Sequence, residues 1–181
     1  MTLMLHSPRL CILPMDERDL PAFAAYRAKP EVARYQSWED YDLARAKALL
    51  AEVQAKPFAS LDHWCQLAVR NKTSGALLGD LALKRLADGE AELGLTLAPA
   101  HQGQGYATEA LGTLVAYLFT ELGLKGLQAW VDSRNAPCIR VLERLGFERT
   151  GQETAPFKGE LCTEYRYQLP LARWQQRQER P

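Results

Sequence analysis

The sequence predicts a single mixed α/β domain, and three observations predict it. Between residues 64 and 97, apolar positions recur with the two-residue period of strands. After Pro99 they switch to the helical period. Strand and helix patterns then follow one another with no linker, repeat or low-complexity stretch between them. A length of 181 residues suits one domain and is short for two. With 47% hydrophobic and 24% charged residues, the composition supports a core and excludes a wholly disordered chain.

Taken in order, the chain opens on a short strand at residues 10–13. Asp16 caps a helix starting at Glu17, with Asp19 in its acidic first turn. That helix ends before Pro30, which begins another short segment, EVARY. Residues 41–56 are rich in strong helix formers and stop at Pro57. In WCQLAV, Cys65, Leu67 and Val69 alternate with Trp64, Gln66 and Ala68, a strand that turns through NKTSG into its hairpin partner ALLGDLALKR. ADGE makes a second turn, after which Ala91, Leu93, Leu95 and Leu97 face one way and Glu92, Gly94 and Thr96 the other. Three antiparallel strands in a row are expected.

Beyond Pro99, Ala107, Ala110, Leu111, Leu114, Val115 and Leu118 form one apolar stripe of a helix that ends near Gly123. A strand at 126–131 and a helix at 136–145 follow, with Gly146 as C-terminal cap. FERTGQET and CTEYRYQL are two closing strands, and LARWQQRQERP is a frayed or short helical end.

Several function classes drop out. Twenty-two basic and 22 acidic residues balance, so the basic excess of a nucleic-acid or membrane-surface binder is missing. No apolar window is long enough to cross a bilayer, and the N-terminus lacks the pattern of a secretion signal. A soluble, cytoplasmic protein is expected, with neither nucleic acid nor membrane as partner. Cys11, Cys65, Cys138 and Cys162 form no C-x-x-C pair and are expected as mostly buried thiols. With His6, His63 and His101 they show no metal-ligand spacing, and no metal is expected.

The segment that carries chemistry is QGQGYATEA, residues 102–110. Two glycines at the start of a helix leave backbone N–H groups bare at the positive end of its dipole, an arrangement suited to phosphate. The plain alternative is that Gly103 and Gly105 only make a tight turn. A P-loop is excluded, because Tyr106 and Ala107 stand where Lys-Ser/Thr would follow the last glycine. A dinucleotide loop lacks its third small residue at Thr108 and would need more than the single strand–helix–strand unit present. Asp132 does sit where a ribose-binding acid would.

The string ELGLTLAPAHQGQGYATEAL followed by NAPCIRVLERLGF resembles the GNAT superfamily of N-acetyltransferases. Gln102, Gly105 and Ala107 match its Q/R-x-x-G-x-G/A loop. The longer pattern, with GALLGDLAL and RVLERLGFERTG, is similar to the RimJ/RimL-like branch. The first 60 residues match only loosely. The resemblance implies a GNAT-like fold: a mixed, mainly antiparallel central sheet flanked by helices, with a strand splay that admits acetyl-CoA. It divides the domain, residues 1–181, into acceptor-side helices (1–60), the sheet with its acetyl-CoA-binding core (63–170) and a tail (171–181).

Acetyl-CoA would then donate to a primary amine, a protein N-terminus or a small molecule, by direct attack in a ternary complex; the protein would be a monomer or homodimer. Its pyrophosphate would lie on Gly103, Gln104, Gly105, Tyr106, Ala107 and Thr108, and its pantetheine arm along Leu95, Thr96 and Leu97. Asn135 matches the family asparagine that bonds the arm, and is equally a helix cap. Glu92 is the nominated base, with a salt bridge as its plain alternative. The family's tyrosine acid is replaced by Leu142; Cys138, where the branch often has serine, is the nominated acid, and a small packing residue otherwise. Tyr35, Trp38 and Tyr41 line the acceptor mouth or pack the N-terminal helices onto the sheet. Glu109 suits the helix dipole and is assigned no chemistry, and His101 is a structural neighbour. A catalytically silent acyl-CoA-binding module and a dinucleotide-binding protein are the competing readings.

Overall fold

The computed structural model describes residues 2–180. Strands β1 (Leu5–His6) and β2 (Leu10–Pro14) lead into helices α1 (Leu20–Arg27), α2 (Pro30–Ala33) and α3 (Leu43–Gln54). The antiparallel run is β3 (Trp64–Asn71), β4 (Leu77–Arg85) and β5 (Glu90–Leu97). Then come α4 (Tyr106–Thr120), β6 (Gly126–Asp132), α5 (Ala136–Arg144), β7 (Glu148–Phe157), β8 (Glu160–Pro170) and α6 (Leu171–Gln178).

Local chemistry explains most boundaries. The Asp16 carboxylate accepts from Arg18 N at 2.9 Å while Asp19 accepts from Asp16 N at 3.0 Å, a reciprocal capping box. It starts a 3₁₀ turn at Glu17–Asp19, and the regular helix begins only at Leu20. Asp42 caps α3 through Arg45 N at 2.8 Å, so that helix starts two residues later than its composition suggests. The tail is a regular helix: Trp174 packs on Phe119 with ring centroids 5.2 Å apart. Arg173 Nε and Arg177 Nη2 donate to the carbonyls of Gly146 and Arg144, at 2.6 and 2.9 Å. Those guanidiniums satisfy carbonyls that the end of α5 leaves bare.

All eight strands join one sheet in the order β1-β2-β3-β4-β5-β6-β8-β7, with β8 inserted between β6 and β7. Every neighbouring pair is antiparallel except β5 and β6. A doubly wound parallel sheet is thereby excluded, and with it the dinucleotide reading. The alternation in β3 separates two faces, and both are covered. Cys65, Leu67 and Val69 join a core with α4, and Ala68 joins a second core beneath α1 and α3. Leu114 and Leu118 of α4 are fully buried, each stabilising the fold by about 1.5–3 kcal/mol.

Gly79 of β4 lies opposite Leu97, and a methyl there would overlap the Thr96 carbonyl oxygen and come within 2.7 Å of Leu97 Cδ2. The obstacle is backbone, so the strands must part to relieve it. Gly79→Ala is expected to destabilise the protein by about 1–3 kcal/mol, read as a lower midpoint in thermal or urea unfolding. An unchanged midpoint would mean that the β4–β5 contact is looser than it stands.

Candidate active site

Strands β5 and β6 pair in parallel through only three registers, Glu90 with Gly126, Ala91 with Leu127 and Glu92 with Gln128. Beyond them the strands part, leaving the later half of β5 without a neighbour on that edge. A cleft of about 600 Å³ fills the gap. Glu92, Leu95 and Thr96 line it from β5, Trp130 and Asp132 from β6, Asn135 and Cys138 from the start of α5, and Tyr35 and Trp38 from the segment after α2. The nominated base, acid and acceptor-side aromatics therefore share one cavity. Leu97 points into the core instead, and its carbonyl accepts from Gln102 Nε2 at 3.0 Å. That bond ties the glycine loop to the end of β5.

The loop is built for exposed amides. Gly103 and Gly105 adopt φ of 74° and 83°, a region that side chains rarely occupy. No side chain caps α4, whose first helical bond runs from Glu109 N to Gly105 O. The amides of Gly105, Tyr106, Ala107 and Thr108 thus donate to no acceptor among the described residues. A Cβ on Gly103 would meet nothing within 4 Å, so its outer side is open. The Gln104 side chain donates from Nε2 to the Ala100 carbonyl at 3.1 Å and leaves its backbone amide out of that bond.

Around the cleft, charge is uneven. Asp132, Glu164 and Glu153 stand directly opposite one another across β6, β8 and β7, and all three line the cavity with Glu92. Like charges so placed repel. Asp132 is neutralised by Arg134, whose Nε and Nη2 donate at 3.0 and 2.9 Å and hold the carboxyl below the usual range. Glu92 has Lys84 Nζ at 3.9 Å. Desolvation, and then the charges of Asp132, Glu153 and Glu92, push the Glu164 carboxyl up.

Such a carboxyl holds its proton more tightly folded than unfolded. Its ionisation therefore costs nothing below the ordinary carboxylate range and weakens the fold as pH rises through the higher folded value. Glu164→Gln is expected to raise the melting temperature at pH 7 and to leave it unchanged near pH 4. A gain that persists at pH 4 would point to packing instead.

Burial acts likewise on Cys138, raising its thiol to about 11. Its amide donates to the Asn135 side-chain oxygen at 3.4 Å, so the asparagine does cap α5. All four cysteines are free; Cys65 and Cys162 are buried, whereas Cys11 and Cys138 are half-buried. Among the described residues no group of His, Cys, Asp and Glu could hold a metal ion. Among the described residues no helix is long and apolar enough to cross a membrane.

Residues 9–148 match the family model described as an acetyltransferase (GNAT) domain. The chain belongs to the GNAT acetyltransferase family. It is similar to the uncharacterized N-acetyltransferase p20 of Bacillus licheniformis, 27% identical over 170 residues that cover 91% of this chain and 94% of that protein. A GNAT-family acetyltransferase from Bacillus anthracis superposes with a TM-score of 0.84 at 22% identity, covering 94% of this chain and 99% of its own. Spermidine N-acetyltransferase from Vibrio cholerae, solved with CoA and spermine, gives 0.81 at 20% identity, covering 93% and 99%. Mycobacterium smegmatis RimJ, in complex with CoA-disulfide, gives 0.79 at 19% identity, covering 93% and 86%.

As a GNAT enzyme this chain is an acetyltransferase with acetyl-CoA as acetyl donor. The bare amides of the loop and the gap between the parted strands fit that donor.

Two parts of the cleft carry no signal in the sequence. Glu164 and Glu153 sit in closing strands whose pattern marks no face as catalytic. Beneath the acceptor side, Asp80 lines the cleft while buried to 1% exposure. It accepts from the Tyr26 hydroxyl, the Gln66 amide and, at 3.0 Å, Arg27 Nη2. The Arg27 guanidinium lies over Phe23 and Trp38, 4.1 and 3.9 Å from their ring centroids, and Trp38 Nε1 returns a hydrogen bond to the Arg27 carbonyl at 3.0 Å. Trp38 is thus both cleft wall and packing residue. Tyr41 is packing alone, edge-on to Phe23. From the far side Lys158 Nζ donates to the Ala33 and Trp38 carbonyls, both at 2.7 Å, and holds this segment over the cleft.

Proposed function

We propose that this chain, acting as one domain over residues 1–181, transfers acetyl from acetyl-CoA to a cationic primary amine by direct attack in a ternary complex. The observation that carries the reading is the single cleft between the parted strands, with Glu92 and Cys138 on its walls and carboxylates at its acceptor side.

In this reading the pyrophosphate rests on the amides of residues 103–108, and Gln102 holds that loop to β5. Leu95 and Thr96 flank the pantetheine arm, and Asn135 bonds it while capping α5. Glu92 takes the proton of the attacking ammonium, through water where the distance requires it, and the free amine then forms the C–N bond. An amide on the unpaired edge of β5 donates to the oxyanion. The C–S bond breaks and CoA leaves as a thiolate, which accepts a hydrogen bond from the Cys138 thiol and takes up the second proton that the nitrogen loses as the amide forms. A thiol at about 11 is protonated at neutral pH, so it is no nucleophile, which favours direct attack over an acyl-enzyme; toward the CoA thiolate it acts as a hydrogen-bond donor, because full proton transfer to that weaker base is uphill. Cys138→Ser is expected to retain activity and Cys138→Ala to lose about tenfold or more in kcat. Equal rates for Cys138→Ala and the parent enzyme across pH would remove the acid role.

Tyr35 and Trp38 form the acceptor mouth. Glu92, Glu153 and Glu164 favour an acceptor bearing more than one positive charge, such as the polyamine class of the Vibrio cholerae enzyme. A protein N-terminus, the substrate class of a RimJ/RimL-like branch, is the second reading, favoured by the likeness to RimJ. Initial rates with spermidine and with Ser- and Ala-leading peptides decide between them. A kcat/KM for spermidine at least about tenfold higher supports the polyamine class. The reverse order supports the N-terminal reading, and turnover of neither overturns both.

A further inference from the structure

Residues 98–110 contain no lysine or arginine, so the loop that cradles the donor's phosphates brings amides and a helix dipole but no full positive charge. The fold delivers one from the other end of the chain. Arg9, at the turn between β1 and β2, reaches the loop and is locked there. Its backbone N–H and its Nε donate to the two oxygens of Glu109, at 2.8 and 2.7 Å, and its Nη1 donates to the Gln104 carbonyl at 2.9 Å. Its guanidinium lies over the Tyr106 ring, 4.2 Å from the centroid. Ser7 Oγ adds a 2.6 Å hydrogen bond to Glu109, whose carboxyl these donors hold below its usual range against the opposing effect of burial.

The remaining donor is Nη2. It has no acceptor among the described residues and lies 3.3 Å from where a Cβ on Gly105 would stand, beside the first unpaired amides of α4. The Arg9 side chain is 44% exposed, so this face is open to a ligand. Two N–H groups of Nη2 and the amides from Gly105 onward therefore form one set of donors without acceptors. A fork so oriented suits a phosphate oxygen.

We propose that Arg9 is a phosphate ligand for the CoA portion of the donor, with Glu109 as the residue that positions it. The assignment rests on the placement of the donor's phosphates at residues 103–108. Glu109 thereby gains a role beyond its favourable position in the first turn of α4.

Calorimetric titration of CoA into the parent protein, Arg9→Gln, Arg9→Lys and Glu109→Gln tests this, with circular dichroism to confirm folding. Arg9→Gln is expected to weaken binding by about tenfold or more, the scale of one hydrogen bond to a charged group. Arg9→Lys should recover part of the loss. Glu109→Gln breaks the same tie but leaves the cation, and should lose no more than about threefold. Equal losses for Arg9→Gln and Glu109→Gln would reduce Arg9 to a structural tie, and unaltered affinity in Arg9→Gln would remove it from the site. Should the parent protein itself fail to bind CoA, the phosphate placement fails first, and Arg9 with it.

Discussion

Asp80→Ala is expected to destabilise the protein by about 3–5 kcal/mol, the range for stripping one partner from a buried ion pair. Three donors converge on this carboxylate, and the substitution leaves all of them buried without an acceptor: the Arg27 guanidinium, the Tyr26 hydroxyl and the Gln66 amide. Arg27 Nε already lacks a partner, so the arginine has little to fall back on. Burial, and then the Asp80 charge, raise the Tyr26 phenol well above its ordinary value, so Tyr26 serves only as a donor. In a domain of this size such a loss lowers the melting temperature by about 10 °C. A fall of only a degree or two would mean that water reaches Arg27 and replaces the carboxylate.

The consequence for function follows from where Arg27 sits. It is stacked on Trp38, so loosening it loosens one wall of the acceptor mouth. Below its melting temperature, Asp80→Ala should raise KM for the amine and spare the affinity for CoA, whose proposed contacts lie on β5 and the glycine loop.

The largest effect on turnover is expected at Glu92. Glu92→Gln keeps the shape of the side chain but cannot accept the ammonium proton, and should lower kcat by about 10²–10⁴-fold with CoA affinity intact. Glu164 is the other carboxylate in reach of this role, since its upward shift brings it nearer the working range of a base. Steady-state rates of Glu92→Gln and Glu164→Gln with one acceptor separate the two. A large loss only in Glu164→Gln transfers the proton to Glu164. A small loss in both would mean that water alone deprotonates the amine.

Much of this was readable from the chain. Helix α4 followed from the stripe Ala110, Leu111, Leu114 and Leu118, the caps from Asp16 and Asn135, and the hairpins from NKTSG and ADGE. The parting of the strands was expected from family resemblance, not from periodicity. The candidate site was legible where it is a local pattern, at residues 102–108, and illegible where distant segments assemble the cleft.

The sequence by itself determined the order and kind of the elements from β2 onward, the glycine loop and the residues at the start of α5, but not the two-residue strand β1. These depend on periods, caps and turns that act within about a dozen residues. Only the tertiary structure decided that β5 and β6 part after Glu92 and that β8 enters beside β6, bringing Glu164 and Glu153 to the cleft. It likewise decided that Asp80 meets Arg27, and Glu109 meets Arg9 across 100 residues of chain. Register and long-range pairing are set by the packing of the whole sheet, because a charged side chain buried by the fold must find its partner wherever the topology brings one.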